Sequence, residues 1–415
     1  YNKFKGPGDL QKKQINAKIY QDLEDLGFVA LSFHFNRNRN AFYRTASDAD
    51  FIRFGRDYEN LATCTRDLPT PGVADDEGRQ IVGNITGGLL AADNPVNPSS
   101  CNNYYGNRIN PSDTGNIRGQ ALFNVTDNLK LTFDPSFQYV LANGGGRNTL
   151  RETPATGAID RRIIGASTTA MGFDVNGDGD LLDTVRVYTP NTTNTRRFVL
   201  TTSAIWDVTD TQRLRFAYTL DYGKHRQTAQ WGRVKDNGDP EDVFAGWSGT
   251  PILAADGSEI RGRDRFSIAE LNQFAAEYRG KFLDEALTLN IGVRAPEFKR
   301  ELNQYCHTPD GGNGNSGNNP GTGGALLCTT QPIVATLPNG NVTFTTGTTA
   351  PQFIAPYKKK LKFDDVLPNV GLTWKFADTN TVYVSYAEGL SAPRTDNLYA
   401  VRRQADGSIG SPLPD

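Results

Sequence analysis

The chain lacks any long run of hydrophobic residues, and this absence excludes a large class of structures. Its 415 residues have a mean hydropathy of −0.51, and nowhere do the ~18 consecutive apolar residues occur that a membrane-spanning helix requires. An excess of charge of one sign is also missing, because the formal net charge is −2 at pH 7. With no basic stripe and no aromatic RNA-binding motif, the sequence argues against nucleic acid as a partner.

Histidine, cysteine and methionine are scarce as well. The three histidines, His34, His225 and His307, are far apart in the sequence, and no CxxC spacing occurs among the four cysteines. The sequence therefore offers no constellation for an enzyme, and His34 and His225 are interpreted as wall residues of strands rather than as ligands. The single methionine is Met171, and no signal peptide starts at Tyr1. We therefore expect the chain to be the middle of a longer protein.

What the sequence has instead is an alternation of apolar and polar residues. Between Ile117 and Leu141, one parity is apolar on both sides of a turn at 126–128, and the other parity is polar or charged. Side chains of a β-strand point alternately to the two faces of a sheet. The segment therefore predicts a hairpin with one apolar face and one polar face.

The same pattern occurs five times and predicts ten strands. The hairpins are expected over residues 13–44, 117–141, 197–222, 265–293 and 360–386. Because polar turn residues interrupt the alternation, we expect tight turns, all at one end of the sheet, at 23–26, 126–128, 209–212, 283–286 and 377–380. Pro368 interrupts the ninth strand and predicts a bulge or an irregular start there.

The two parities predict two environments. The apolar set is expected to point outward, to hydrocarbon, and comprises Leu129, Leu131, Phe133, Phe137, Leu214, Phe216, Leu220, Leu287, Leu289, Ile291, Val382 and Val384. The polar set is expected to point inward, to water, and comprises Lys130, Thr132, Asp134, Arg215, Asp221, Thr288 and Arg294. In a soluble sandwich a second sheet would cover the apolar set, whereas in a transmembrane barrel it faces lipid.

Long polar connections alternate with the tight turns. They are predicted at about 46–114, 144–195, 232–263, 306–356 and 394–415. Connections in soluble domains are typically ~4–6 residues long, whereas bacterial barrels have short periplasmic turns and long extracellular loops. The predicted fold is therefore all-β, with residues 1–415 forming part of an antiparallel transmembrane β-barrel.

The four cysteines all lie in the predicted loops. Three pairings can be drawn among them, and loop locality favours the disulfides Cys64–Cys101 and Cys306–Cys328. The bacterial cell surface is oxidising, which suits disulfides. Free thiols of a cytosolic protein, the alternative, would more often be buried among apolar residues.

One loop has acidic residues at a spacing similar to that of a calcium loop. The pattern DxNxDGDxxD involves Asp174, Asn176, Asp178, Asp180 and Asp183. In a calcium loop, oxygens at positions 1, 3 and 5 converge because glycine at position 6 permits a sharp turn, and a bidentate glutamate occupies position 12. Position 12 here is Val185, so Asp183 completes the set only if the loop closes early. The alternative is an Asp/Gly-rich turn without a metal, and Ca²⁺ is the one cofactor that the sequence suggests.

Candidate ligand contacts lie near the predicted outer ends of the strands. Arginine binds carboxylate or phosphate in bidentate fashion, and tryptophan stacks on rings. The candidates are Arg44, Trp231, Trp247 and Arg394. Alternatively, the tryptophans belong to the aromatic girdles at the membrane interfaces.

Part of the sequence resembles TonB-dependent outer-membrane receptors. The similarity is carried by 364–374, which reads DDVLPNVGLTW, by 381–389, which reads TVYVSYAEG, and by Pro393-Arg394. Segments 42–67 and 104–119 are similar to a subgroup of these receptors. The resemblance implies a 22-stranded barrel of the Gram-negative outer membrane, of which about ten strands are present here. It also implies an N-terminal plug and a TonB-contacting segment, which this sequence does not recognisably contain.

The resemblance further implies an energised receptor that imports a scarce, bulky nutrient. The expected partners are outer-membrane lipid, an extracellular ligand such as a ferric siderophore or an oligosaccharide, and TonB through a region outside this sequence. Two alternatives stay open. A passive porin would have roughly 16–18 strands and shorter loops. A non-transport adhesin or carbohydrate-binding β-solenoid would repeat at a fixed period of ~20–50 residues, whereas the spacing here is uneven.

Overall fold

The computed structural model describes residues 7–43, 45, 47–54, 60, 62, 72, 104–152, 173–235, 237–245, 247–311, 326, 328–344, 346, 347 and 350–410. The strands up to the end of the fourth hairpin are β1 (Leu10–Asp22), β2 (Gly27–Ala41), β3 (Ile109–Thr126), β4 (Leu129–Ala142), β5 (Arg147–Arg151), β6 (Thr184–Tyr188), β7 (Thr192–Thr209), β8 (Gln212–Gln230), β9 (Arg261–Phe282) and β10 (Leu287–Gln304). The later strands are β11 (Thr308–Pro309), β12 (Ala335–Thr336), β13 (Val342–Thr343), β14 (Phe353–Ile354), β15 (Tyr357–Asp364), β16 (Leu367–Ala377), β17 (Asn380–Ala387), β18 (Arg402–Arg403) and β19 (Ile409–Gly410).

Helical structure is sparse. The described ranges contain the short helix α1 (Asp48–Phe54) and 3₁₀ turns at Glu24–Leu26, Tyr105–Asn107 and Asn397–Tyr399. Across those same ranges, no helix has the length and hydrophobicity that crossing a membrane would require.

Eleven strands of the described chain form one antiparallel sheet in the order β1, β2, β3, β4, β7, β8, β9, β10 and β16, β17. The eleventh, β15, pairs with residues 297–304 of β10, while β16 pairs with residues 287–294, the half nearer the tight turn. Residues Asp365 and Val366 separate these two strands, next to Pro368, so the irregular start predicted there is confirmed. When β15 and β16, which both pair with β10, are counted as one strand, the sheet has the ten predicted strands.

The five tight turns are where the alternation predicts them. They join β1 to β2, β3 to β4, β7 to β8, β9 to β10 and β16 to β17. The strand register places all five at the same end of the sheet. The second and third hairpins begin further from these turns than predicted, at Ile109 and Thr192 rather than near 117 and 197.

The register also confirms the two predicted faces. All twelve residues of the predicted outward set share one face, the apolar face, and the seven predicted inward residues lie on the other, the polar face. Large side chains on the apolar face are uncovered: Phe216 is 53% and Phe274 65% exposed. No second layer of the described chain packs against them, so the sandwich alternative is wrong.

The apolar face has the height of a bilayer core. Its first charged residue on β2 is Arg37, ten residues after Gly27, and on β10 it is Glu297, ten residues after Leu287. Ten strand residues span ~33 Å. With the tilt of ~40° usual in outer-membrane barrels, this corresponds to an apolar band of ~25 Å.

The strands are staggered along the sheet. The row of directly paired residues that starts at Asp22, the last residue of β1, reaches Leu122 on β3. It ends at Leu367, ten residues before the end of β16. Each successive tight turn therefore lies further from this row of paired residues than the turn before it. Tilted strands of a closed barrel require such a stagger.

The buried cores lie in the long connections and not within the sheet. One cluster around Leu150, Val187 and Trp231 joins β5 and β6 to the connection between β8 and β9. Another joins Leu302 of β10 to Leu398, Tyr399 and Val401 beyond β17. The connections therefore fold into small sheets with apolar interiors, which their polar composition does not predict.

Candidate functional site

A polar cavity lies on the polar face near the outer ends of β7 to β10. Its volume is about 780 Å³, and its walls include Arg197, Asp221, His225, Arg300, Arg394 and Asp396. The first four side chains come from strands, and their parity places them on the polar face. A cavity of this size is in the range of ligand-binding sites.

The roof of the cavity is the segment 388–410, which follows β17 and folds back over the polar face. Asp396 Oδ1 accepts a hydrogen bond of 2.6 Å from Arg265 on β9. The Tyr399 hydroxyl lies 2.9 Å from Ser267 Oγ. Together with the apolar contacts of Leu398 to Leu302 and its neighbours, these bonds hold the roof on the strands.

Arg265 is the centre of this attachment. Its side chain is fully buried, its Nε donates to Gln227 Oε1 at 2.6 Å, and its guanidinium lies 4.3 Å from the centre of the Tyr399 ring. A buried charge is tolerated only when it is paired and hydrogen-bonded. Among the described residues, Asp396 of the roof segment supplies a salt bridge that helps Arg265 to meet this condition.

Two cations of the cavity are left without an acidic partner. Arg197 donates through Nε to Asp221 Oδ1 at 2.7 Å, and its terminal nitrogen bonds the second carboxylate oxygen. Arg300 and Arg394, by contrast, form no salt bridge with any described residue, and Arg300 Nε is buried without a hydrogen-bond partner. Although Asp221, Glu270 and Asp396 also line the cavity, it therefore offers a ligand two guanidinium groups that form no salt bridge with described residues. Arginine is suited to binding carboxylate-like oxygens.

The structure places the predicted ligand contacts in different environments. Arg394 lines the cavity. Trp231 is 3% exposed and lies inside the loop core with Leu150 and Ile252. Trp247 is 44% exposed, next to a turn in which its N–H donates to the carbonyl of Phe244. Arg44 lies outside the described residues.

Three further cavity residues, Arg197, His225 and Arg300, were not predicted as ligand contacts. His225 was interpreted as strand wall, and its Nδ1 lies 2.6 Å from Thr195 Oγ1. The alternation does place all three on the polar face. Nothing in the sequence indicates, however, that β7, β8, β10 and the roof segment converge.

The acidic loop folds as a series of turns stabilised by its own side chains. Asp174 accepts hydrogen bonds from the N–H groups of Gly177 and Gly179, and Asp178 accepts one from Asp180. Both carboxylate oxygens of Asp174 and Oδ1 of Asp178 therefore accept hydrogen bonds within the loop. The Asn176 amide donates to Asp183 Oδ2 at 2.8 Å.

A different carboxylate group gathers beneath this loop. Oxygen atoms of Glu152, Asp180 and Asp183 lie within 4.8 Å of one another. Glu152 is fully buried and accepts hydrogen bonds from the N–H groups of Val175, Asn176 and Asp183. Burial raises the pKa of Glu152 to about 7, although these donors oppose the shift. Calcium binding by Asp174, Asn176, Asp178, Asp180 and Asp183 stays a prediction. The pairing of β5 with β6 brings Glu152 close to Asp180 and Asp183, so Glu152 is a further candidate ligand.

One of the two predicted disulfides lies in the described chain. Cys306 and Cys328 are bonded, with Cα atoms 4.4 Å apart, next to the outer ends of β9 and β10. This prediction is confirmed. Cys64 and Cys101 lie outside the described residues, and their pairing stays a prediction.

A family model named "TonB dependent receptor-like, beta-barrel" matches residues 65–414 of the chain. This chain belongs to the TonB-dependent receptor family. The resemblance found in the sequence is thus confirmed, and with it the outer membrane of a Gram-negative bacterium as the receptor's location. The apolar face is consequently the lipid-facing outer face of a β-barrel, and the polar face lines the lumen.

Solved structures of this family are similar in fold to the receptor. The ferric-catecholate import receptor Fiu from E. coli K12 shares 13% identity over 92% of this chain and 44% of its own, with a TM-score of 0.44. The siderophore receptor PiuA from Acinetobacter baumannii shares 12% identity over 91% and 42%, with a TM-score of 0.40. The ferric yersiniabactin uptake receptor FyuA from Yersinia pestis shares 9% over 91% and 37%, with a TM-score of 0.42.

The receptor chain spans less than half the length of these structures. No curated protein matches its sequence.

Proposed function

We propose that this receptor binds a ferric siderophore on its extracellular side and imports it with energy supplied through TonB. The observation that carries the proposal is the lumen cavity, where Arg300 and Arg394 form no salt bridge with any described residue and Arg300 Nε is buried without a hydrogen-bond partner. Siderophores hold iron through oxygen donors such as catecholate and carboxylate, so their ferric complexes commonly carry negative charge. Charge-assisted hydrogen bonds from arginine favour such ligands.

A binding experiment tests the cavity. We expect Arg300→Gln and Arg394→Gln, made in the complete receptor, each to weaken binding of an anionic ferric siderophore by about tenfold, which is ~1.4 kcal/mol. The matched control is Arg215→Gln, because Arg215 lies on the same lumen face of β8 but nearer the periplasmic turn. Unchanged affinity in both cavity variants would contradict the assignment of the cavity.

Energy coupling is tested separately from binding. Uptake of the radiolabelled ferric complex by cells carrying the complete receptor should require TonB. Binding to the same cells at low temperature should not require it. Equal uptake with and without TonB would instead indicate a passive porin.

An oligosaccharide or another organic complex is the second candidate ligand. Trp247, exposed on the connection between β8 and β9, offers a ring on which a sugar could stack. Expression of the parent gene distinguishes the candidates. Iron starvation should raise it if the ligand is a ferric siderophore, and growth on polysaccharide should raise it if the ligand is an oligosaccharide.

A further inference from the structure

Two cations face each other on the lipid-facing side of the barrel. Arg196 on β7 and Lys224 on β8 are directly paired in the register, and both side chains are exposed on the apolar face. Like charges at directly opposite positions of two strands destabilise the pairing. The pair therefore has an energetic cost that the folded strands alone do not offset.

No described acidic residue neutralises this pair. Neither Arg196 nor Lys224 forms a salt bridge within the described ranges, and the contact of the Lys224 ammonium is with the ring of Tyr222 at 5.8 Å. The next cation on the same face of β8, Arg226, is occupied differently. It pairs with Asp264 and lies 5.4 Å from the centre of the Tyr305 ring. Among the described cations of β7 and β8 at this height, Arg196 and Lys224 are thus the ones available to an external anion.

The height of the pair is that of the membrane interface. Lys224 is twelve residues after the start of β8, and Arg196 is thirteen residues before the end of β7. Both are the first charged residues above the apolar band on their strands. Phosphorylated headgroups of the outer leaflet lie at this level, and basic residues there bind such headgroups.

A groove lies below the pair on the same face. It has a volume of about 480 Å³ and is lined by small side chains between rings, including Thr202, Ala204, Phe216, Tyr218, Ala276 and Ala295. Thr202 and Tyr218 are each six residues from the cation on their strand, roughly 20 Å along it. At a tilt of ~40° this is ~15 Å of depth, or half of a ~30 Å hydrocarbon core. An acyl chain of the outer leaflet would reach that depth.

We propose that the outer face of β7 and β8 is a binding site for one phosphorylated, acylated lipid of the outer leaflet, of the lipid A type. Arg196 and Lys224 bind its phosphate. One acyl chain passes over Phe198, Leu200, Leu220 and Tyr222 and ends in the groove. The juxtaposition of an unneutralised cation pair with a groove directly beneath it carries the inference, which does not depend on what the lumen transports.

Native mass spectrometry of the complete receptor, delipidated in detergent and titrated with bisphosphorylated lipid A, tests the site. We expect one tightly bound lipid A on the unaltered receptor. The double variant Arg196→Gln/Lys224→Gln should weaken this binding at least tenfold. Ala204→Phe, which fills the groove, should weaken it while leaving the cation pair in place.

Two controls separate this site from general effects. Arg215→Gln lies on β8 but faces the lumen, so it should bind lipid A as the unaltered receptor does. Pyrophosphate should not displace the lipid, because it has no acyl chain. Equal lipid A affinity in the double variant, or displacement by pyrophosphate at matched concentration, would overturn the proposal.

Discussion

The guanidinium of Arg265 lies against the ring of Tyr399, 4.3 Å from the ring centre, and this contact joins the barrel wall to the roof of the lumen cavity. Arg265 contributes a fully buried charge from β9, whereas Tyr399 belongs to the segment that follows β17. Cation–π contacts of desolvated groups contribute about 2 kcal/mol. Arg265 is thus a charged centre of the attachment, beside the contacts of Leu398 with Leu302 and of Arg403 with Asp310.

The roof should loosen when Asp396 loses its charge. Asp396→Asn removes the carboxylate that accepts from Arg265 and so takes an acidic partner from a buried cation that also contacts Gln227 and Tyr399. Because Asp396 itself is 57% exposed, we expect local opening of 388–410 to become easier by only about 1–3 kcal/mol. Hydrogen exchange of this segment measures the change. Asp406→Asn, on the same segment but bonded only to Ser408, should leave the exchange rates as they are.

The stability of the acidic loop should depend on pH through Glu152. Its pKa is raised from 4.5 to about 7 in the folded loop, so the folded state binds this proton more tightly than the unfolded state. The resulting stability is complete below about pH 4.5 and is lost as pH rises to 7. Hydrogen exchange of residues 174–183 should show this trend, and Glu152→Gln should remove it. A loop that becomes more stable over the same range would show that Glu152 is ionised throughout.

Calcium should reverse that pH dependence. An ion shared by Glu152, Asp180 and Asp183 requires Glu152 to lose its proton, so Ca²⁺ affinity should rise between pH 5.5 and 7.5 and Ca²⁺ should protect the loop from exchange. Glu152→Gln should abolish the protection. Asp174→Asn is the matched control, because the Asp174 carboxylate lies outside this group and caps two glycine N–H groups. The opposite ranking of the two variants would restore the ligand set suggested by the sequence pattern.

The fold was largely predictable and the cavity was not, for one physical reason. Within the membrane one face of each strand contacts lipid and the other faces the lumen. The polarity of residues such as Leu131 and Lys130 therefore indicates directly on which face they lie. Above the membrane both faces are wet, the alternation fades, and the outer start of β3 at Ile109 could not be predicted. The cavity joins Arg197, Arg300 and Arg394 through pairings between distant segments, which no local pattern encodes.

A charge should be costly on the outer face and mild in the lumen. Val293 lies on the outer face of β10, six residues after its start, and Thr219 lies on the lumen face of β8 at a similar height. Val293→Arg should lower the free energy of unfolding by roughly 2–4 kcal/mol, as for other mid-membrane positions. Thr219→Arg should lower it by less than half as much. Denaturant unfolding in lipid vesicles gives both values, and equal losses would contradict the assignment of the faces.

The predicted pairing of the four cysteines can be tested chemically. Non-reducing peptide mapping of the complete receptor should give one fragment pair containing Cys64 and Cys101 and another containing Cys306 and Cys328. In the chain-entropy model, closing a loop the size of the one between Cys306 and Cys328 is worth about 3 kcal/mol. Cys306→Ser/Cys328→Ser should therefore raise hydrogen exchange in 328–344 while the membrane strands stay protected. Peptides that cross-link the two loops would contradict loop-local pairing.

The stagger of the strands means that hydrogen-bonded neighbours do not share a depth in the membrane. The row that begins at Ile15 and Phe35 continues through Tyr139 and then Arg196 and Lys224, and it ends at Glu301 and Lys360. Along this one row the side chains are apolar or aromatic from Ile15 to Tyr139, and from Arg196 onward all but Ile268 are charged. A set of probes attached along the row would therefore sample hydrocarbon, then the membrane interface and then water, although each probe sits on a residue directly paired with the next.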